Sequence, residues 1–179
     1  MGDLKVFQGN IAEVTGVDVI VNAANPGLRP GGGVCGAIYA AAGDRLDSYM
    51  SSAHPLGCHT GSVVMSPSFD IAGPDRPSLI MHAVGPDVRQ CSDNQAASVL
   101  FIDTWLSVFA MAQAYQVESI AAPLISTGIY GFDKFTAIFI VVETILDQKP
   151  DLDITLVTFD DADTQAVNGF LKMADFTNS

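Results

Sequence analysis

The chain has 179 residues, 49% of them hydrophobic and 16% charged, which is enough apolar sequence to bury a core and excludes an intrinsically disordered protein. Eight Lys and Arg against 20 Asp and Glu give a net charge of −12, which argues against nucleic acid as a partner and against a polybasic membrane anchor. No apolar stretch approaches the ~20 residues of a membrane-spanning helix, and no signal-peptide pattern is present. We therefore expect a cytoplasmic protein without a membrane partner.

Short apolar runs alternate with amphipathic stretches along the chain. The apolar runs predict strands over Leu4–Phe7, Asp18–Asn22, Ser62–Ser66, Leu79–Val84, Ser119–Leu124 and Ile154–Phe159. The amphipathic or Ala-rich stretches predict helices over Gly33–Ala42, Arg45–Ser52, Gln95–Tyr115, Lys134–Leu146 and Ala162–Ala174. A turn cluster at Gly73–Pro77 separates the third strand from the fourth.

Strands separated by helices over most of a chain are typical of an α/β fold with a largely parallel sheet between helical layers. The first strand is the candidate for an antiparallel neighbour within that sheet. No linker is long enough to divide the sequence, so we expect residues 1–179 to form a single domain.

The three cysteines, Cys35, Cys58 and Cys91, are odd in number and do not have the spacing of a zinc site. Reduced thiols are the simplest interpretation, and a structural metal is not expected.

The first candidate site is a glycine-rich loop between a predicted strand and a predicted helix, from Asn22 to Gly36. In open α/β sheets, ligands bind outside the carboxyl ends of the strands. Gly31, Gly32 and Gly33 let the backbone approach a ligand, and the helix N-terminus adds partial positive charge. The pattern therefore predicts an anion site made from backbone N–H groups. The alternative is a plain turn; the amides of Asn22 and Asn25 favour the ligand site, because they can orient a sugar hydroxyl or a water.

The second candidate site is the loop Pro123–Phe132, which also follows a predicted strand and precedes a helix. Its stretch from Ser126 to Gly131 offers a second set of N–H donors, so two loops on one sheet edge would hold a diphosphate from both sides. Core packing is the alternative role for the rings of Tyr130 and Phe132.

Four ordered sequence blocks resemble those of the macrodomain family, most closely its MacroD-type and viral branches. The blocks are Val21-Asn22-Ala23-Ala24-Asn25, Gly31-Gly32-Gly33-Val34, His82-Ala83-Val84-Gly85-Pro86 and Ser126-Thr127-Gly128-Ile129-Tyr130-Gly131. The resemblance covers nearly the whole chain and implies a three-layer αβα sandwich with a central mixed, mostly parallel sheet.

The resemblance also implies an activity. Macrodomains bind ADP-ribose, and many hydrolyse mono-ADP-ribose esters on acidic protein side chains or small derivatives such as O-acetyl-ADP-ribose and ADP-ribose 1″-phosphate. The expected partners are therefore ADP-ribose and mono-ADP-ribosylated proteins, and neither a metal nor a redox cofactor is needed. The competing hypothesis is a reader module that binds ADP-ribosylated proteins without catalysis.

Family roles carry over onto matching positions of this sequence. Asn25 would position the distal ribose and the attacking water, and Gly32 would help preorganise the charge at the reacting end. The remaining expected ligand contacts are Asn10 and Ile11 at the adenine, Phe159 stacked on it, Asn22, Gly31, Gly33, Val34 and Cys35 in the first loop region, and Ser126, Thr127, Gly128, Ile129 and Tyr130 around the diphosphate and distal ribose.

Two positions depart from the family pattern. Asn10 stands where Asp is usual, which removes charge assistance to the adenine amino group and predicts weaker binding. Cys35 stands where MacroD-type hydrolases often have Asp. It is either a nucleophile at a helix N-terminus or, as we favour, a small residue that lines the ribose pocket.

Two further polar features have expected structural roles. We expect His82, inside an apolar strand, to be buried and hydrogen-bonded, with no part in catalysis. The acidic run from Asp160 to Asp163 is expected to cap the last helix, in preference to binding a metal.

Overall fold

The computed structural model describes residues 2–177 and the side chains of residues 2–174. Its strands are β1 (Leu4–Gln8), β2 (Val19–Ala23), β3 (Val63–Pro67), β4 (Leu79–Ala83), β5 (Ser119–Pro123) and β6 (Asp153–Thr158). Its α-helices are α1 (Gly33–Ala42), α2 (Asp44–Ala53), α3 (Asn94–Ala114), α4 (Lys134–Gln148) and α5 (Asp161–Thr177). Each predicted strand and helix is present. The sequence patterns missed the short 3-10 helices at Ile11–Glu13, Phe69–Ile71 and Val88–Gln90.

The strands form one six-stranded sheet in the order β1-β6-β5-β2-β4-β3. Only the β3–β4 pair is antiparallel among the strand pairs of the described residues, so the expectation that β1 is the antiparallel strand was wrong. The reason lies in the connections. Residues 68–78 join β3 to β4 through a 3-10 turn and the Gly73–Pro77 cluster, without the crossover helix that a parallel neighbour requires.

Alternate residues of each strand face opposite helical layers. In β2, Val19 and Val21 pack in the cluster under α3, α4 and α5, whereas Ile20 packs in the cluster under α1 and α2. This period of two follows from the pleat of the strand. The predicted three-layer αβα sandwich with a mixed, mostly parallel sheet is confirmed.

The apolar side chains of helices α3 and α4 are explained by their packing in the core. By length and composition, α3 would be able to cross a membrane, and its side chains Phe101, Trp105 and Val108 are fully buried in the core cluster. Helix α4 forms despite β-branched residues such as Ile138 and Val141, because both are buried in the same cluster. Tertiary packing outweighs the modest loss of helix propensity at such positions.

The carboxyl ends of the parallel strands lie at one edge of the sheet. The segments that follow β1, β6, β5, β2 and β4 therefore emerge side by side in that order, at the ~4.8 Å spacing of neighbouring strands. This edge carries both glycine loops.

Candidate functional site

A cleft of about 750 Å³ lies across the carboxyl edge of the sheet. Its lining comes from the segments after β1, β6, β5 and β2, together with the first turns of α1, α4 and α5. At one end are Asn10 and Phe159, at the ends of β1 and β6, and at the other is Asn25, beyond the end of β2. The cleft therefore runs along the strand order of the sheet.

The side chain of Asn25 closes the first loop on itself. Its Nδ2 donates to the carbonyl of Arg29 at 2.8 Å, and its Oδ1 accepts from the Arg29 backbone N–H at 3.1 Å. The loop is also tied to the helical layer, because the Tyr39 hydroxyl donates to the Leu28 carbonyl at 2.6 Å. The guanidinium of Arg29 pairs with Asp47 at 2.9 Å, outside the cleft lining. The loop is thus preformed, and Asn25 keeps one N–H and one lone pair for a ligand.

Close backbone approach explains the glycines of this loop. A Cβ on Gly36 would collide with the carbonyl of Gly31, so α1 can begin directly beneath the loop only with glycine there. Gly33, the first residue of α1, has φ +56, the left-handed region that favours glycine. A Cβ on Gly32 would lie 3.2 Å from Ile129 Cδ1, which shows how closely the two loops face each other across the cleft.

Ser126 is the strained point of the second loop. It has φ +65 although it is not glycine, and it is 6% exposed. Its Oγ has no hydrogen-bond partner among the described residues. The Phe132 N–H donates to the Ser126 carbonyl at 2.9 Å and so holds this geometry. Gly85 leaves room for Ser126 Oγ, because a Cβ on Gly85 would overlap that atom. Left-handed backbone at a non-glycine residue that lines the cleft favours a ligand-binding role for this loop.

The two aromatic residues of the second loop lie in different environments. Phe132 is 5% exposed and stacks on Phe101 with ring centroids 4.7 Å apart, so core packing is its role. Tyr130 lines the cleft. Burial raises the pKa of Tyr130, and the Asp87 carboxylate nearby raises it further, so its hydroxyl stays protonated as a donor.

A buried polar chain lies behind the first loop. Asn22 Nδ2 lies 3.1 Å from His82 Nδ1, and His82 Nε2 lies 2.8 Å from Ser66 Oγ, which donates to the Pro67 carbonyl at 3.0 Å. Asn22 donates to Nδ1, so the proton of neutral His82 is on Nε2 and donates to Ser66. His82 is fully buried, which confirms the expected structural histidine. Burial lowers the pKa of His82 to about 3.

Asn22 is a correction to the expected ligand contacts. It is 0% exposed and does not line the cleft. Its side chain points back from the strand end to His82 and, at 3.7 Å, to the Sγ of Cys35. Asn22 lies within β2 and its side chain is covered by α1 and β4, whereas Asn25 lies beyond the strand end and lines the cleft.

Cys35 is 6% exposed and lines the cleft at the start of α1. Burial raises the pKa of the Cys35 thiol, and the weaker opposing effects of Asn22 and the Gly31 backbone do not reverse that direction. The neutral thiol is a weak nucleophile, so the charge state supports the role of a pocket lining over that of a nucleophile.

The other end of the cleft is formed by the ends of β1 and β6. The Oδ1 of Asn10 accepts from the Ala12 N–H at 3.0 Å and so caps a 3-10 helix, while Ile11 is buried. Phe159 is 85% exposed, with an open face toward the cleft. Asp160 Oδ1 accepts from the Asp163 N–H at 2.9 Å, which confirms the expected cap of α5.

The structure brings together all the expected ligand-contacting residues except Asn22. The cleft lining includes Asn10, Ile11, Asn25, Gly31, Gly32, Gly33, Val34, Cys35, Ser126, Thr127, Gly128, Ile129, Tyr130 and Phe159.

Sequence reasoning missed the pair of Lys134 and Asp163. Both line the cleft, and Lys134 Nζ lies 2.8 Å from Asp163 Oδ2. They are 29 residues apart on different helices, and no local pattern signals their contact. Lys134 is the one basic side chain of the cleft lining within the described part of the chain. Within residues 2–177, no group of three or more His, Cys, Asp or Glu side chains is placed to hold a metal.

Similarity to known proteins assigns the chain to a family. A family model for the Macro domain matches residues 21–141. The chain belongs to the macrodomain family. This macrodomain is 42% identical over 146 residues to an O-acetyl-ADP-ribose deacetylase of Escherichia fergusonii, covering 80% of this chain and 78% of the relative. It is also 42% identical over 161 residues to a macro domain-containing protein of Ralstonia nicotianae, covering 89% of each.

The macrodomain also matches a solved structure over almost its whole length. The Oceanobacillus iheyensis macrodomain with ADP has a TM-score of 0.84 and 30% identity to it, covering 97% of this chain and 92% of that one. The family predicted from the four sequence blocks is therefore confirmed.

The buried His82 of this macrodomain predicts a loss of stability in acid. Since its pKa is about 3 when folded and near 6.5 when unfolded, the unfolded chain binds the proton first as the pH falls. The free energy of unfolding should therefore fall by about 1.4 kcal/mol per pH unit below pH ~6.5 on account of this residue. Urea unfolding of His82→Gln should show a slope reduced by that amount. The exposed His59→Gln is the control, and an unchanged slope in His82→Gln would contradict the assignment.

Proposed function

We propose that this macrodomain binds ADP-ribose along the cleft and hydrolyses esters at its distal ribose. The observation that carries the proposal is that two loops face each other across the cleft, with Gly32 of one in near contact with Ile129 of the other. The cleft itself follows the strand order. Relatives about 40% identical that are named O-acetyl-ADP-ribose deacetylase support the same substrate class.

The order of the strand ends supports one orientation of the ligand. Adenine fits between Asn10 and Phe159, at the ends of β1 and β6. The diphosphate fits next to Ser126, beyond the end of β5, and the distal ribose next to Asn25, beyond the end of β2. The segment from Ser126 to Tyr130, which lines the cleft, then meets the diphosphate, the part of the ligand richest in acceptors.

Backbone donors suit this anion better than cations would. Lys134 is engaged with Asp163, so the charges of that pair largely cancel at the cleft wall. The N–H groups of the glycine loop and the N-terminus of α1 supply positive potential without mobile side chains. Fixed donors of this kind need no reorganisation during the reaction.

The chemistry is ester hydrolysis. A water molecule adds to the ester carbonyl carbon, the bond between that carbon and the ribose oxygen breaks, and the ribose oxygen receives a proton from the water. The products are ADP-ribose and a carboxylic acid. Asn25 positions the distal ribose and the water with its free N–H and its free lone pair. The diphosphate of the substrate itself also takes part in orienting the water.

Small esters and mono-ADP-ribosylated acidic side chains share this reacting bond. We include both in the proposal, and the names of the relatives favour O-acetyl-ADP-ribose as the first substrate to assay.

A non-catalytic reader is the second candidate. The observation that favours it is Cys35, which places a neutral thiol where many related hydrolases have a carboxylate. A reader would bind ADP-ribose and leave the ester intact, so turnover of O-acetyl-ADP-ribose distinguishes the two functions.

ADP-ribose should bind with micromolar affinity, about −8 kcal/mol, in titration calorimetry. AMP should bind far more weakly, because it lacks the distal ribose and the second phosphate that the two loops face. Equal affinities for the two ligands would contradict the proposed orientation.

Gly32→Glu should weaken ADP-ribose binding by about 100-fold or more, close to 2.7 kcal/mol. Gly32 has φ −89, which any residue adopts, and a Cβ there meets only the flexible end of Ile129, so the fold should persist. The carboxylate, however, would face the diphosphate. Gly32→Gln is the matched control, since it adds the same bulk without charge. A Glu variant that binds as well as the Gln variant would show that the loop does not face the anion.

Asn25→Ala should reduce hydrolysis of O-acetyl-ADP-ribose by about 100-fold or more, or ~2.7 kcal/mol in the activation barrier. Cys35→Ala should reduce it much less, because the neutral thiol only lines the pocket. Steady-state kinetics of both variants, with calorimetric affinity for ADP-ribose alongside, check this. An inactive Cys35→Ala beside an active Asn25→Ala would identify Cys35 as the nucleophile.

A further inference from the structure

A second, smaller cavity of about 170 Å³ adjoins the cleft. Gly85 and Tyr130 line both spaces, so the cavity and the cleft meet at these two residues. The other residues that line the small cavity are Pro26, Thr60, Asp87, Gln90, Cys91 and Leu100.

The strand order places this cavity beyond the distal ribose. Gly85, Asp87 and Cys91 belong to the segment that follows β4, and β4 is the neighbour of β2 on the side away from β5. Pro26 directly follows Asn25 in the first loop. If ADP-ribose lies from β1 to β2, a group attached to its distal ribose projects toward the end of β4.

Three polar residues of this cavity, Asp87, Gln90 and Cys91, are hydrogen-bonded within their own segment. Asp87 accepts from Arg89 Nε at 2.8 Å and from Arg89 Nη2 at 2.7 Å. These hydrogen bonds hold the pKa of Asp87 below its usual range, so it stays ionised and paired. Gln90 Nε2 donates to the same carboxylate at 3.4 Å, and Cys91 Sγ donates to the Asp87 carbonyl at 3.4 Å. A charged occupant would have to break this arrangement, whereas an uncharged one would not.

We propose that this cavity receives the acyl chain of an ADP-ribose ester and sets the chain length that the enzyme accepts. The inference rests on the proposed function and names the substrate class of the same site. The volume of about 170 Å³ equals about six water molecules at ~30 Å³ each, which suits an uncharged chain of a few carbons. Pro26 and Leu100 supply apolar walls for it.

The test compares O-acetyl-, O-propionyl-, O-butyryl- and O-hexanoyl-ADP-ribose as substrates, with kcat/KM as the readout. The wild-type protein should accept the acetyl to butyryl esters and lose about tenfold or more with the hexanoyl ester, since each methylene that does not fit a pocket carries a cost of that order. Affinity for ADP-ribose itself is measured by calorimetry on every variant.

Two variants change the volume of the cavity in opposite directions. Thr60→Phe fills it and should lower kcat/KM for the butyryl ester by about tenfold, with a smaller effect on the acetyl ester. Leu100→Ala enlarges it and should raise the relative rate with the hexanoyl ester. Ser62→Phe is the matched control, because Ser62 is exposed nearby and does not line the cavity. ADP-ribose affinity should stay within about twofold in all three, since ADP-ribose lacks an acyl group.

The outcomes separate this inference from the proposed function. Wild-type protein that fails to bind ADP-ribose or to hydrolyse any ester overturns the proposed function. Normal binding and hydrolysis, with Thr60→Phe and Leu100→Ala leaving the chain-length preference unchanged, overturns only the acyl cavity. A Thr60→Phe effect confined to release of ADP-ribose from a modified glutamate of a protein would also overturn it, because the occupant would then be the acceptor protein.

Discussion

The alignment of parallel strand ends at one edge of the sheet is the constraint on which the site depends. Because β1, β6, β5 and β2 all end there, four segments far apart in sequence emerge as neighbours. The cleft is therefore a property of the topology, and the loops only refine it. The antiparallel strand β3 lies at the far edge, beyond β4, where it does not interrupt this series.

The acidic composition is compatible with the proposed anionic ligand, because the two glycine loops of the cleft would face that ligand with backbone N–H groups. With a net charge of −12, the long-range field of the protein opposes an anion. Local dipoles of the loops and of α1 act at short range, where screening by salt is weakest. The basic groups nearby are occupied, as in the pairs Arg29–Asp47 and Lys134–Asp163.

Local patterns sufficed for much of the fold and the site. The short apolar strands, the helix over Gly33–Ala42 and the glycine loops are predicted by neighbouring residues alone, and the structure has them. What local patterns do not contain is direction and distance. The antiparallel course of β3 depends on a connection without a crossover helix, and the burial of Asn22 depends on which face of β2 it occupies. The position of Asp87 and Cys91 in the lining of the smaller cavity depends on how β4 pairs with β2, which no local pattern contains.

The strained Ser126 has a consequence for how this macrodomain can evolve. Left-handed backbone at a non-glycine residue and a buried hydroxyl without a partner each destabilise the empty protein, by about 1–3 kcal/mol for either feature. The left-handed backbone at Ser126 also gives the cleft-lining loop its shape, so this cost accompanies the form of the site. Selection for a more heat-resistant protein and selection for an unchanged cleft therefore act in opposite directions on this one position.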